Sequence, residues 1–330
     1  MRRYVAALFG VVLLLGVPLL VSSQYLLTLI NVAGVNMMLA LGLLFLFGFC
    51  GQLSFCQAAF FAIGAYTSAI LATKFELNVW LSMLCGTLAA GVFSAIVGIA
   101  ILRLRSHYFA LATLGLTQIV SQILLNWKVV TGGTDGIVKI PKPTILGWPL
   151  DSMTAFYYLI LATVTMSALV AHHVRHSRYW RSFVAVRSDA LAAEIAGLNV
   201  FATKLLAFIL SAVYAGIGGA LYAHMISFIS PDAFDLVVSV NAFAMVLVGG
   251  TAKIWGVLVG SALVTCLPEL LRFTHQYYML LYGIGIALVV MFLPGGLSGY
   301  VRARNGPDLR VDSVALADAA SKRASKPSSL

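Results

Sequence analysis

Charge is what this chain has least of. Asp, Glu, Lys and Arg make up 10% of its 330 residues, and apolar side chains make up 61%, whereas soluble domains carry roughly a quarter charged residues. So little polar surface excludes a globule in water and identifies an integral membrane protein. Ionisable side chains are almost absent from the middle of the apolar runs. Pumps and ion-coupled carriers place their Asp, Glu or His relays there, so an ion-driven carrier is disfavoured. The four cysteines, Cys50, Cys56, Cys85 and Cys266, lie in apolar runs without CxxC spacing. That argues for packing roles and against a disulfide framework or a metal site. The chain also lacks a Walker A loop, a nucleophile elbow and an HExxH helix, so no site for hydrolysis is visible. If transport is active, another subunit supplies the energy.

What is present is a series of apolar runs of about the 20 residues a bilayer requires: 4–22, 25–49, 51–73, 79–102, 107–126, 153–173, 205–227, 237–251, 254–271 and 277–293. They predict an all-α polytopic bundle, with 1–297 as the membrane domain and 298–330 as a Ser- and Ala-rich tail that reads as disordered. The start, MRRYVAALFGVVLLLGVPLLVSSQY, has the basic head and small residues of a secretory signal. Its apolar run, from Tyr4 to Val21, is longer than a usual signal core, which favours an uncleaved first helix. The segment 237–271 is either two crossings or a re-entrant pair, giving ten crossings or eight.

The net charge of +10 does not point to nucleic acid, because the basic residues stand at the ends of apolar runs. Between residues 2 and 304, alternation places Arg2, Arg3, Arg103, Arg105, Arg175, Arg178, Arg181, Arg187, Lys204, Lys253, Arg302 and Arg304 on one side, with Lys74, Lys128, Lys139, Lys142 and Arg272 on the other. The positive-inside rule makes the richer side cytoplasmic, with both termini there.

Amides and hydroxyls concentrate at Asn31 and Asn36, at Gln52, Ser54 and Gln57, at Thr113, Thr117, Gln118, Ser121 and Gln122, and at Asn241. In lipid such groups need partners, so they are either interhelical glue or the lining of a polar path. Gln52, Ser54, Gln57, Thr117, Gln118, Gln122 and Asn241 are the candidate path residues. Gln52 and Gln57 are five apart, about 140° around a helix, so a shared seam demands a break near Gly51 or a wide polar face. A faint repeat supports a broken helix: GQLSFCQAAFFAIGAYTSAIL from Gly51 and GTAKIWGVLVGSALVTCLPELL from Gly250 each open on glycine. Glycine-interrupted segments in corresponding halves are a common transporter device. His172, His173 and His176 follow a membrane exit and read as interfacial anchors, and Glu269 with Arg272 reads as an interfacial pair.

The longest connection on the basic side contains VRSDALAAEIAGLN. Ser188 or Asp189 can cap a short helix and Gly197 can end it in the left-handed conformation. Such an element is either a solvated connector or a plug for a partner's groove.

These segments together, GQLSFCQAAFFAIGAY, LRLRSHYFALATLGLTQIV followed by TGGTDG, VRSDALAAEIAGLNVFATKLLAF, SPDAF and LVGGTAKIWGVLVGSALVTCLPELL, resemble the permeases of branched-chain amino-acid ABC importers, the M-type subunit above all, over residues 25–297. The resemblance implies a channel formed with a second homologous permease, two ATP-binding cassette ATPases that bind ATP in place of any cofactor in this chain, and a periplasmic substrate-binding protein, in a bacterial inner membrane. It implies that Arg187, Asp189, Ala192, Ala193, Glu194, Gly197 and Leu198 form the ATPase coupling loop. Ala192-Ala193-x-x-x-Gly197 matches part of the EAA signature, with Leu191 where that signature has Glu. It also implies that Thr131, Gly132, Gly133, Asp135 and Gly136 lie on the face that receives the binding protein. A stand-alone secondary carrier, a membrane-embedded enzyme, or a same-family permease for urea or short amides are the alternatives.

Overall fold

The computed structural model describes residues 16, 18, 23–104, 106–145, 148–251, 253–270, 278–292 and 296–299. Most of the run 4–22, the basic residues Arg2, Arg3, Arg105, Arg272, Arg302 and Arg304, and the tail from 300 lie outside them. The helices that matter here are α1 (Gln24–Leu43, continued by a π-helical turn, Leu44–Phe49), α2 (Gln57–Lys74), α3 (Val79–Ile101), α4 (Ser106–Asn126), α5 (Met153–Arg175), α6 (Arg178–Ser188), α7 (Ala190–Ile195), α8 (Val200–Ile226), α9 (Leu236–Gly249), α10 (Ile254–Leu270) and α11 (Tyr278–Phe292).

Local chemistry sets several starts. Asn78, Ser152 and Asn199 accept backbone N–H bonds at the first turns of α3, α5 and α8, satisfying donors that a helix otherwise leaves unpaired. Six of the described segments are long and apolar enough to cross a membrane: Gln24–Phe49, Val79–Ile101, His107–Asn126, Met153–Arg175, Val200–Ile226 and Pro231–Gly249. Helix α2 is more polar, but its 18 residues span about 27 Å and most of them, Ala58 to Ala62 among them, are buried. Neighbouring helices surround it, so it needs no lipid-facing apolar stripe.

Long-range contacts fix the direction of each segment. Asn31 of α1 donates to the Met153 carbonyl at 3.0 Å, and Lys74 at the end of α2 donates to the Val129 and Val130 carbonyls. Those groups share one end of the bundle, the Asp135 end. At the other end, the Arg187 guanidinium donates to the Gly48 carbonyl. A Cβ built on Gly48 would lie 3.4 Å from the Thr251 carbonyl, so the turn between α9 and α10 reaches the same end. Helix α9 therefore runs toward that end and α10 turns back from it, reaching at least the depth of Asn36, to which its Thr265 is bonded. The glycines that open the faint repeat, Gly51 and Gly250, both have positive φ, 73° and 88°. Each turns the chain toward the Asp135 end, into α2 and α10.

The tightest packing joins α2, α3 and α8. A Cβ on Gly64 would sit 2.4 Å from the Gly216 carbonyl oxygen, and one on Gly86 2.5 Å from the Gly64 carbonyl oxygen. Backbones therefore touch, the small-residue packing expected where lipid offers no hydrophobic drive between helices. At the Asp135 end a two-residue antiparallel ladder pairs Ile137 with Ile229 and Val138 with Phe228, and a second pairs Thr144 with Pro149 and Ile145 with Trp148. Residues 296–299 are helical, and Ser298 is fully buried beside Gly256.

Candidate functional site

The break expected near Gly51 is present, and it lies inside the bundle. After the π turn the chain reverses at Gly51, whose Cβ would approach the Arg187 side chain to 2.9 Å. It then runs non-helically to Cys56 before α2 begins at Gln57. Gln57 Nε2 donates to Ser211 Oγ at 2.5 Å, and Ser211 lies well inside α8. Helix α2 therefore starts at depth, and its first N–H groups need partners there.

The partners are hydroxyls from other helices. Ala58 N–H donates to Ser239 Oγ of α9 at 2.9 Å and Phe55 N–H to Thr113 Oγ1 of α4 at 3.1 Å, while Thr117 Oγ1 donates to the Phe55 carbonyl at 2.8 Å. Ser54 Oγ accepts from Cys56 N–H at 3.4 Å and contacts its Sγ at 2.9 Å. Ser54, Thr113, Thr117 and Ser239 thus hold the break open by satisfying its backbone. Gln57 differs: it is fully buried, yet its Oε1 has no hydrogen-bond partner among the described residues. Gln52, half-buried, bonds through its backbone to the Leu46 carbonyl at 3.0 Å.

The other path candidates fall elsewhere. Gln118 is one residue past Thr117, about 100° around the helix, and with Gln122 it lies on the opposite, exposed face of α4. These two and Asn126, spaced four apart, border a groove of about 410 Å³ beside Ile119 and Ile123. Asn241 on α9 accepts from Tyr282 Oη at 3.0 Å. The structure therefore separates one expected path into three polar regions: the break, the open face of α4, and the α1–α9 seam.

At the Arg187 end, Asp189 Oδ1 accepts from Leu191 N–H at 2.9 Å and Ala192 N–H at 3.1 Å. Of the two caps allowed by the sequence, Asp189 is the one used. Gly197 ends the helix at φ 86° with nothing within 4 Å of where its Cβ would be, and Leu198 N–H returns to the Ala193 carbonyl at 3.0 Å. Ala193 is buried, whereas Ala192 and Glu194 are exposed. Leu191 and Ile195, one turn apart, are 68% and 81% exposed. Arg187, although exposed, also directs its guanidinium to the Gly48 carbonyl, where a cation complements the carbonyl end of α1. Trp180 of α6 packs edge-on against Phe49 at 4.5 Å, so the capped helix is tied to the π turn and the break.

At the Asp135 end, Thr131 is 3% exposed, and the single proton of its hydroxyl is shared between the Leu124 and Trp127 carbonyls at 2.7 and 2.9 Å. Gly132, Gly133 and Gly136 all have positive φ, and a Cβ on Gly136 would lie 2.1 Å from the Ile229 carbonyl oxygen. They build the turn; Thr134 and Asp135 are what it presents to solvent.

Ser211, Ser239 and His224 were not legible as site residues. His224, fully buried, contacts the Pro141 carbonyl through Nδ1 at 2.6 Å and Ser68 Oγ through Nε2 at 2.8 Å. A carbonyl only accepts, so Nδ1 carries the proton, and the loop at 141 is thereby pinned to α8 and α2. A lone Ser or His within an apolar helix gives no signal of the partner that another helix supplies. Among the described residues no group of three or more His, Cys, Asp or Glu is placed to hold a metal ion.

The chain matches, over residues 25–294, the family model described as branched-chain amino acid transport system / permease component. It is 32% identical over 302 residues to the high-affinity branched-chain amino acid transport system permease protein LivM of Salmonella typhimurium, covering 84% of this chain and 70% of that protein. It is 33% identical over 286 residues to LivM of Escherichia coli, covering 80% and 67%. Similarity extends at 24% over 282 residues to the permease LivH of Salmonella typhimurium, covering 79% of this chain and 90% of that one. No solved structure matches.

Proposed function

From the fact that this chain belongs to the family of permease components of branched-chain amino acid transport systems, we infer that it is one of two homologous permeases that together pass branched-chain or closely related amino acids across a bacterial inner membrane. Two ATP-binding cassette ATPases drive the cycle and bind the ATP, while a periplasmic binding protein delivers substrate. The chain performs no covalent chemistry and holds no cofactor. On this reading the Arg187 end is cytoplasmic, with both termini, and the Asp135 end is periplasmic.

One observation carries the reading. A capped helix exposes Leu191 and Ile195 to solvent and is joined, through Arg187 and Trp180, to the turn that begins the mid-bundle break. A partner that grips this helix and moves it by a few ångströms pulls directly on Gly48 and the segment leading to Gln57. Asp189, Ala192, Glu194 and Gly197 shape the gripped element, and Arg187 transmits its movement. The second permease is assigned to the open face of α4, because Gln118, Gln122 and Asn126 are exposed there and the bonds from Asn126 to Gln122 leave amide groups that lipid cannot satisfy and that a shared seam would cover or wet. Thr134 and Asp135 are the contacts offered to the binding protein.

The test is reconstitution. The assembled permeases, ATPases and binding protein in proteoliposomes should accumulate leucine only with ATP and all components present. Uptake driven by an ion gradient without the ATPases would establish a secondary carrier, and uptake of urea in preference to leucine would reassign the substrate.

A further inference from the structure

The amide of Asn241 does not join the break around Gln57; it lines a different cavity. This space, of about 140 Å³, lies between α1 and α9 and is bordered by Asn36, Leu39, Val238, Asn241, Ala242 and Met245. Its depth is set by Asn36, about halfway along the α1 crossing.

Two carboxamides line this cavity among apolar side chains, and each is held by an outside partner. Asn36 Nδ2 donates to Thr265 Oγ1 of α10 at 3.0 Å, and Asn241 Oδ1 accepts from Tyr282 Oη of α11 at 3.0 Å. Those bonds leave Asn36 Oδ1 and Asn241 Nδ2 without an intramolecular partner among the described residues. One is an acceptor and the other a donor. If either amide is rotated by 180°, the cluster still retains unused donors and acceptors, so its chemistry does not depend on that assignment.

Packing alone does not account for the arrangement. Interhelical glue accounts for one bond from each amide, to Thr265 and to Tyr282, but each amide keeps further hydrogen-bonding capacity beside an empty volume. The volume matches what a small organic molecule fills, since a dry apolar cavity of about 150 Å³ accepts benzene. A ligand suited to it has a head that both donates and accepts hydrogen bonds and a compact aliphatic body, with no net charge to bury.

We propose that this cavity is a substrate site on the α1–α9 seam. It holds one small aliphatic amino acid with its zwitterionic head between Asn36 and Asn241 and its side chain against Leu39, Val238, Ala242 and Met245. Thr265 and Tyr282 are positioning residues that orient the two amides. The proposal rests on the transport reading above and adds to it a location and a size limit.

The experiment uses the full assembled transporter in proteoliposomes, with leucine and alanine uptake each normalised to the amount of assembled complex. Asn36→Leu and Asn241→Leu should each lower uptake of both amino acids at least tenfold. Ala242→Leu, which fills part of the space and leaves the amides in place, should lower the leucine-to-alanine uptake ratio at least fivefold. Where a leucine variant assembles poorly, Asn36→Ser or Asn241→Ser takes its place, with at least a threefold rise in the KM for leucine expected. Normal uptake in the asparagine variants, or an unchanged leucine-to-alanine ratio in Ala242→Leu, overturns the site while wild-type uptake leaves the transport reading intact. Absence of ATP-dependent uptake of either amino acid by the wild-type complex overturns both.

Discussion

Replacing Gly197 with valine isolates the capped helix from everything around it. The residue sits at φ 86° with no atom within 4 Å of a Cβ built there, so a larger side chain collides with nothing and its effect is conformational. An L-residue in the left-handed region costs roughly 1–2 kcal/mol, and a β-branched one lies at or above the top of that range. Helix α7 has little with which to offset this. It is six residues long, below the length at which isolated helices persist, and it buries only Ala193. A loss of about 1.4 kcal/mol lowers the equilibrium constant for the capped conformer about tenfold, and affinity for the ATPase subunits should fall by up to that factor. Asparagine tolerates the left-handed region, so Gly197→Asn should stay within about threefold of wild type. Binding of purified ATPase subunits to the permease pair in nanodiscs, together with ATP-driven leucine uptake, reads both variants, and membrane insertion provides the control. Wild-type binding and uptake in Gly197→Val would refute the argument, as would an equal loss in Gly197→Asn, which would show that the glycine is needed for something other than its backbone angle.

Arg187→Met should leave ATPase association within about twofold but lower uptake per ATP hydrolysed, because the docking face is intact and the link to the Gly48 carbonyl is lost; parallel hydrolysis and uptake assays would show a reduced ratio. Gln52→Leu and Gln57→Leu separate route from glue: a route role requires reduced uptake with assembly retained, whereas uptake that falls only in proportion to lost assembly makes the glutamines structural. Gly64→Ala places a Cβ 2.4 Å from the Gly216 carbonyl oxygen, so α2 and α8 must separate, at a cost of about 1–3 kcal/mol for an overpacked contact, visible as a lowered thermal-unfolding midpoint in detergent. In a background with Cys85 and Cys266 replaced by serine, a membrane-impermeant thiol reagent should reach Asp135→Cys from the periplasm and Ala190→Cys from the cytoplasm; the reverse pattern would invert the assigned orientation.

The sequence by itself determined the features that depend on composition or on a few neighbouring residues. A chain with 10% charge cannot stay in water, and a bilayer fixes the length of what spans it, so among the described residues most apolar runs forecast the helices to within a few residues, the starts of α2 and α8 differing by six and five. The caps were legible for the same local reason: Asp189 and Gly197 act on backbone groups one to three positions away, and of the break or wide polar face that the 140° between Gln52 and Gln57 allowed, the structure has the break, at Gly51. Tertiary structure decided which polar groups meet. Successive helical residues point about 100° apart, so Thr117 turns into the break while Gln118 turns away from it, although both stood in one candidate cluster. The contact made by Arg187 had no local signal, because the carbonyl it binds belongs to Gly48, 139 positions earlier. Ser211 and Ser239 were silent because a hydroxyl in an apolar helix acquires meaning only when another helix brings an unsatisfied N–H to it. The pairing of Asn36 with Asn241 across one cavity is of the same kind, since no local pattern connects residues 205 positions apart and only the packing of α1 against α9 places both at its wall.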